Sequence, residues 1–204
     1  MIFFLLWCLR ELWLVQYINM MPPVLTAITS AGIKIVVWVL PVLWLVTAVE
    51  KRNPLTYLGL SVNVSKGLKW AGWFTLALAV CFLMANVLIL GNGINLDLGF
   101  DEWLNTIIIV GITEEIVFRG FILNKCMEMF NFWKANIITS LLFVSIHFPI
   151  WIYEGLFQFP YVIGTTVNVF VVGVLFGYVY KKSGSLWSVI IIHSMYNLFV
   201  TVFG

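Results

Sequence analysis

Apolar runs of about 20 to 25 residues begin near Val24, Leu68, Leu104, Trp133, Tyr161 and Ser185, each long enough to cross a hydrocarbon layer of roughly 30 Å as a helix. Short polar stretches separate them, the longest running from Glu50 to Lys69. Six membrane helices follow from this pattern. Residues 1–20 make a further apolar segment, but Arg10 and Glu11 fall at its centre. It reads either as a seventh span or as an interfacial helix, separated from the next run by Pro22-Pro23. No basic n-region precedes it and no small-residue cleavage site follows, so it is expected to be retained rather than removed as a signal. Pro41 and Pro149 are expected to kink their helices. Neither an internal repeat nor a long linker interrupts the pattern, which makes residues 1–204 one membrane domain.

Composition sharpens this into a fold class. Of 204 residues, 62% are hydrophobic and 10% charged, with a mean hydropathy of +1.04; soluble domains carry about 25% charged residues. The expectation is an all-α, polytopic transmembrane bundle of six or seven helices in a lipid bilayer. The 17 Phe, 10 Trp and 7 Tyr read as lipid-facing and interfacial side chains. A net charge of +2 without a basic stripe excludes nucleic acid as a partner. Cys8, Cys81 and Cys126 are odd in number, far apart and free of a CxxC pair, so they read as small buried hydrophobes.

Charge also orients the chain, because Lys and Arg near span ends stay on the cytoplasmic side. Lys51, Arg52, Lys66 and Lys69 occupy one loop, Lys125 and Lys134 flank the second loop after it, and Lys181-Lys182 the second after that. The intervening loops, with Asp97, Asp101, Glu102 and Glu154, contain no Lys or Arg. The lysine loops are therefore expected in the cytoplasm, the chain being a multi-pass protein of a bacterial plasma membrane.

Against this background the segment Glu114-Glu115-Ile116-Val117-Phe118-Arg119-Gly120 stands out. Its charges lie near the middle of the run that starts at Leu104, about 15 Å from either end at 1.5 Å per residue. Ionised side chains at that depth cost roughly 2.5 to 3.5 kcal/mol each, on the order of 8 to 10 kcal/mol for three left unpaired. Glu115 and Arg119, four apart, share a helix face and can pair. Glu114 points about 100° away and lacks that partner. The only two histidines, His147 in SLLFVSIHFP and His193 in SVIIIHSMYNLF, lie at similar depth in the next span and the last, with Asn197 one turn after His193. One such residue is commonly a packed core group. Two acids, two imidazoles and an amide at one depth on three helices point to a site.

EEIVFRG, FVSIH and GSLWSVIIIHSMYN, in that order, resemble the EExxxR, FxxxH and HxxxN motifs of the CPBP family, which includes CAAX prenyl endopeptidases and bacteriocin-processing or Abi-type membrane proteins. The resemblance covers about residues 100–204. It implies a helical bundle of up to about eight spans and an intramembrane endopeptidase acting on a peptide or membrane-protein substrate. Carried over by position, Glu114 activates water with His147 as its partner. His193 and Asn197 stabilise the oxyanion, and Glu115 and Arg119 support the geometry. These roles match the needs of peptide hydrolysis: a base, an oxyanion site and a proton for the leaving amine.

Other readings are set beside this one. A divalent metal, zinc above all, would take Glu114, His147 and His193 as an open three-ligand set; with no HExxH present, a metal-free glutamate mechanism without a cofactor is favoured. Two non-proteolytic alternatives are a small proton- or ion-coupled transporter and a non-catalytic bacteriocin-immunity or interaction protein. Gly173 and Gly177 form a GxxxG that serves close helix packing within the chain or a homodimer. Lys34 reads as a snorkelling or paired side chain.

Overall fold

A computed structural model describes residues 2–203, which contain helices and loops and no strand. We number the long helices α1 (residues 2–18), α2 (Pro23–Val49), α3 (Val64–Ile89), α4 (residues 102–129), α5 (Phe132–Tyr153), α6 (Tyr161–Ser183) and α7 (Leu186–Phe203). Five of them, α2, α3, α5, α6 and α7, are long and apolar enough to cross a membrane. The exception among the six expected spans is α4, which is as long as the others but carries Glu114, Glu115 and Arg119 at its middle. Those charges are buried inside the bundle and away from the lipid-facing surface, as a bilayer demands of polar groups. The chain is an all-helical polytopic membrane protein.

Local signals set the helix boundaries. Asn53 and Asn131 cap helix starts: the Asn53 carboxamide accepts from the N–H groups of Leu55 and Thr56, and that of Asn131 accepts from Lys134 N at 3.0 Å. At the end of α6, Gly184 turns left-handed at φ 69° and its N–H returns to the Tyr180 carbonyl at 2.8 Å. Within α5 the helical path is interrupted by a turn at Ile146 and His147, shortly before Pro149; the proline has no N–H to give the Ser145 carbonyl, and its ring crowds that carbonyl.

The three lysine-bearing loops meet at one end of the bundle. Lys125 at the end of α4 pairs with Glu50 after α2 at 2.9 Å. The Asn63 carboxamide donates to the Gly184 carbonyl at 3.3 Å, and Leu186 N donates to the Gly59 carbonyl at 2.9 Å. At the opposite end Asn95 N donates to the Val202 carbonyl at 2.9 Å.

In lipid, helices associate through close packing and interhelical hydrogen bonds rather than a hydrophobic drive, and small residues sit where the backbones approach. A Cβ on Gly111 of α4 would collide with the Ser194 hydroxyl of α7, and one on Gly67 of α3 would lie 2.7 Å from Ser185. The GxxxG of α6 is taken up within the chain. Gly173 faces Ser140 of α5, Gly177 faces the Asn136 carboxamide, and Asn136 donates to the Val174 carbonyl at 2.9 Å. That face is thereby filled by α5.

Helix α1 docks on the bundle. Trp7 Nε1 donates to the Ile146 carbonyl of α5 at 3.1 Å, Trp7 stands edge-on to Trp38 of α2 at 4.7 Å, and Glu11 is buried. Lys34 makes no ion pair or hydrogen bond among the described residues and, because α2 runs on to Val49, sits well inside the helix and lines an internal cavity.

Candidate active site

The polar centre is built on α4. Its segment Val110–Glu115 is α-helical between two stretches of wider π turns, Glu102–Ile109 and Ile116–Leu123. The close approach at Gly111 and Ser194 brings α7 against α4, and one turn further along α4 the two glutamates face His193.

Glu115 is fully buried, and its Oε1 accepts two charge-assisted hydrogen bonds, from Arg119 Nη1 at 2.8 Å and from His193 Nδ1 at 2.7 Å. The guanidinium is fixed in turn from three sides. Its Nη2 donates to the Gly173 carbonyl of α6 at 3.0 Å, and it stacks over the rings of Phe143 at 4.4 Å and Phe176 at 5.4 Å. Arg119 therefore ties α4 to α5 and α6, and Glu115 ties α4 to α7. Such pairing offsets the cost of burying these charges.

The hydrogen bond to Glu115 places the proton of His193 on Nδ1 and leaves Nε2 directed at Glu114, 3.9 Å from its Oε2. That gap exceeds a direct hydrogen bond. Glu114 Oε2 is buried with no hydrogen-bond partner among the described residues. An orphaned carboxylate oxygen is costly, and here it faces a cavity rather than packed side chains. His147, half-buried at the break in α5, directs Nδ1 at the Phe143 carbonyl at 2.7 Å, so this nitrogen must donate and the opposite one, Nε2, is free to accept. Edge-on contacts of Phe143 to His147 and His193, with centroids 4.9 and 6.0 Å apart, hold both imidazoles on one wall.

Two adjoining cavities receive these groups. One, of about 340 Å³, is lined by Glu114 and His147 together with Arg10, Glu11, Lys34 and Asn105. The other, of about 230 Å³, is lined by His147, His193 and Asn197 with Asn168, Tyr196 and Thr106. His147 and Thr106 border both cavities. Asn197 Nδ2 donates one hydrogen to the Thr106 carbonyl at 2.8 Å, which leaves a second amide hydrogen for a ligand. The six residues singled out from sequence thus lie around one centre, with the acid on one side of His147 and the His193/Asn197 face on the other.

The N-terminal lining has no counterpart in the sequence reading. Arg10 pairs with Glu11 at 2.6 Å and donates to Ser30 at 3.3 Å; a charged pair at the centre of an apolar helix was the signal available for it. At the mouth stands Glu154, outside the membrane-spanning segments, whose carboxyl is raised above the usual carboxylate range by desolvation and then by the charge of Glu11. Among the described residues no group of three or more His, Cys, Asp or Glu side chains is placed to hold a metal ion.

No curated protein matches the chain, nor does any solved structure. A family model described as type II CAAX prenyl endopeptidase Rce1-like matches residues 98–199, 102 of the 204 residues. The matched half begins just ahead of α4 and extends into α7, taking in Glu114, Glu115, Arg119, His147, His193 and Asn197. The chain belongs to the Rce1-like type II CAAX prenyl endopeptidase family of membrane proteases.

Proposed function

We propose that the protein is an intramembrane endopeptidase in which Glu114 activates a water molecule and no metal takes part. The observation that carries this is the orphaned, buried Oε2 of Glu114, which opens on a cavity that also holds His147 and lies 3.9 Å from His193 Nε2.

Glu114 takes a proton from water as the oxygen attacks the carbonyl carbon of the scissile bond, with His147 Nε2 accepting the water's other hydrogen bond and fixing its direction. Charge moves onto the carbonyl oxygen, where His193 and the free amide hydrogen of Asn197 donate to it. To donate there His193 carries a proton on Nε2 as well as on Nδ1. Collapse of the tetrahedral intermediate breaks the C–N bond, and the proton held by Glu114 passes to the leaving amine. Glu115 and Arg119 touch none of the reacting atoms and are positioning residues that hold His193 in its tautomer and place.

The substrate is a peptide or a membrane protein cut near the mid-plane of a cell membrane, and the lysine loops lie on the cytoplasmic side. The test compares new peptide termini in membranes and medium of cells producing the wild type or Glu114→Gln. Termini that appear only with the wild type are expected. Their absence, with pH- or potential-dependent flux of an ion instead, would favour a transporter, and protection against a peptide toxin that survives Glu114→Gln would favour a non-catalytic immunity protein.

A further inference from the structure

The cavity in front of Glu114 is larger and more polar than water activation requires, and much of its lining comes from α1 and α2, outside the matched half of the chain. Its groups are unevenly satisfied. Arg10 and Glu11 pair at 2.6 Å, and Asp101 accepts from Asn105 at 2.7 Å. Yet Arg10 Nε, Glu11 Oε2, Asn105 Oδ1 and Glu114 Oε2 are all buried without a partner among the described residues. Lys34 has no hydrogen bond or ion pair there, although its charge interacts with those of Arg10, Glu114, Glu11 and Asp101. Buried polar atoms left open in such number are unusual in a protein interior. Together they describe a receptor: acceptors suited to peptide N–H groups, and two cationic donors, Arg10 Nε and Lys34 Nζ, suited to an anion.

Resting on the endopeptidase reading, we propose that Lys34, assisted by Arg10, anchors a carboxylate of the substrate segment that fills this cavity, leaving Glu114 at the reacting end and Lys34 at the anchoring end. An ammonium inside a membrane helix without a directly paired carboxylate is costly, and an incoming carboxylate in contact with it reduces that cost. The remaining anions, Glu11, Asp101, Glu114 and, at the mouth, Glu154, repel a carboxylate placed anywhere else, which makes the position selective. The carboxylate is either a chain terminus or an acidic side chain.

The test uses the full chain in nanodiscs and three probes: N-acetyl-Val-Leu as the free carboxylate, the same dipeptide as its amide, and N-acetyl-Glu-Leu amide. Wild type is expected to bind at least one carboxylate probe roughly tenfold or more tighter than the Val-Leu amide, as a charge-assisted contact should give. Tight binding of the first probe assigns a chain terminus and of the third an acidic side chain. Lys34→Met should abolish the preference and Lys34→Arg should retain it, which separates loss of the anchor from loss of the fold. Glu114→Gln should keep the preference while cleaving nothing. Equal binding of acid and amide by wild type, a preference that persists in Lys34→Met, or no binding of any probe overturns the proposal. A wild type that prefers the carboxylate but cleaves no peptide would instead remove the endopeptidase reading and leave the anchor standing.

Discussion

Removing Arg119 should separate stability from activity in a way that only its bridging position explains. The side chain is 1% exposed and is held by Glu115 at 2.8 Å, the Gly173 carbonyl at 3.0 Å and the rings of Phe143 and Phe176. Arg119→Met keeps much of the volume but strands the fully buried Glu115 with a single partner, His193. Breaking a buried pair from one side costs about 3–5 kcal/mol. At about 2–4 °C per kcal/mol for a chain of this size, the unfolding temperature should fall by roughly 6–20 °C. The double variant Glu115→Gln/Arg119→Met removes both charges and should recover most of that loss, because no uncompensated charge remains. Activity should not recover with it: His193 then lacks the carboxylate that fixes its tautomer, and turnover should stay down by roughly 10²-fold or more. Thermal unfolding in detergent, followed by tryptophan fluorescence, gives the first quantity and peptide cleavage the second. An Arg119→Met protein that unfolds within 2 °C of wild type, the shift of less than about 1 kcal/mol, would refute the assignment of Arg119 as the bridge.

Asn197→Ala should lower kcat by roughly 10²–10³-fold with KM little changed, since its free amide hydrogen is assigned to the oxyanion; a pure rise in KM would contradict that role. Gly111→Val should push α7 from α4 against Ser194 and the Ile190 carbonyl and cost about 1–3 kcal/mol by overpacking, whereas Gly72→Ala, inside a helix with open space around it, should cost nothing and stabilise by up to about 1 kcal/mol; both are read by thermal unfolding. Chelation with 1,10-phenanthroline should leave cleavage unchanged, and loss of activity restored by zinc would reverse the metal-free mechanism.

Much of the fold was legible because a membrane span leaves a long apolar run, and α2 through α7 each fall within a few residues of such a run. The charges that set α4 apart from the other spans were the same ones that marked the site, at Glu114, Glu115 and Arg119. The match to residues 98–199 places all six singled-out residues inside the family's extent, while their individual roles rest on the experiments above. What escaped was the N-terminal wall of the Glu114 cavity. Arg10, Glu11 and Lys34 sit on helices that are apolar on nearly every face, so no periodic stripe marks which side turns inward. Their direction follows from tertiary contacts such as Trp7 to the Ile146 carbonyl, which no local pattern encodes. The GxxxG of α6 was legible as a packing motif, but its partner, Asn136 and Ser140 of α5, emerged only from the helix arrangement.

The central claim is that Glu114 performs the proton chemistry, and the most direct measurement is turnover by purified Glu114→Gln in metal-depleted nanodiscs beside wild type, on one peptide. A loss of roughly 10²–10⁴-fold or more, with the unfolding temperature essentially unchanged, is the expected result. Cleavage at the wild-type rate by a folded Glu114→Gln protein would contradict it.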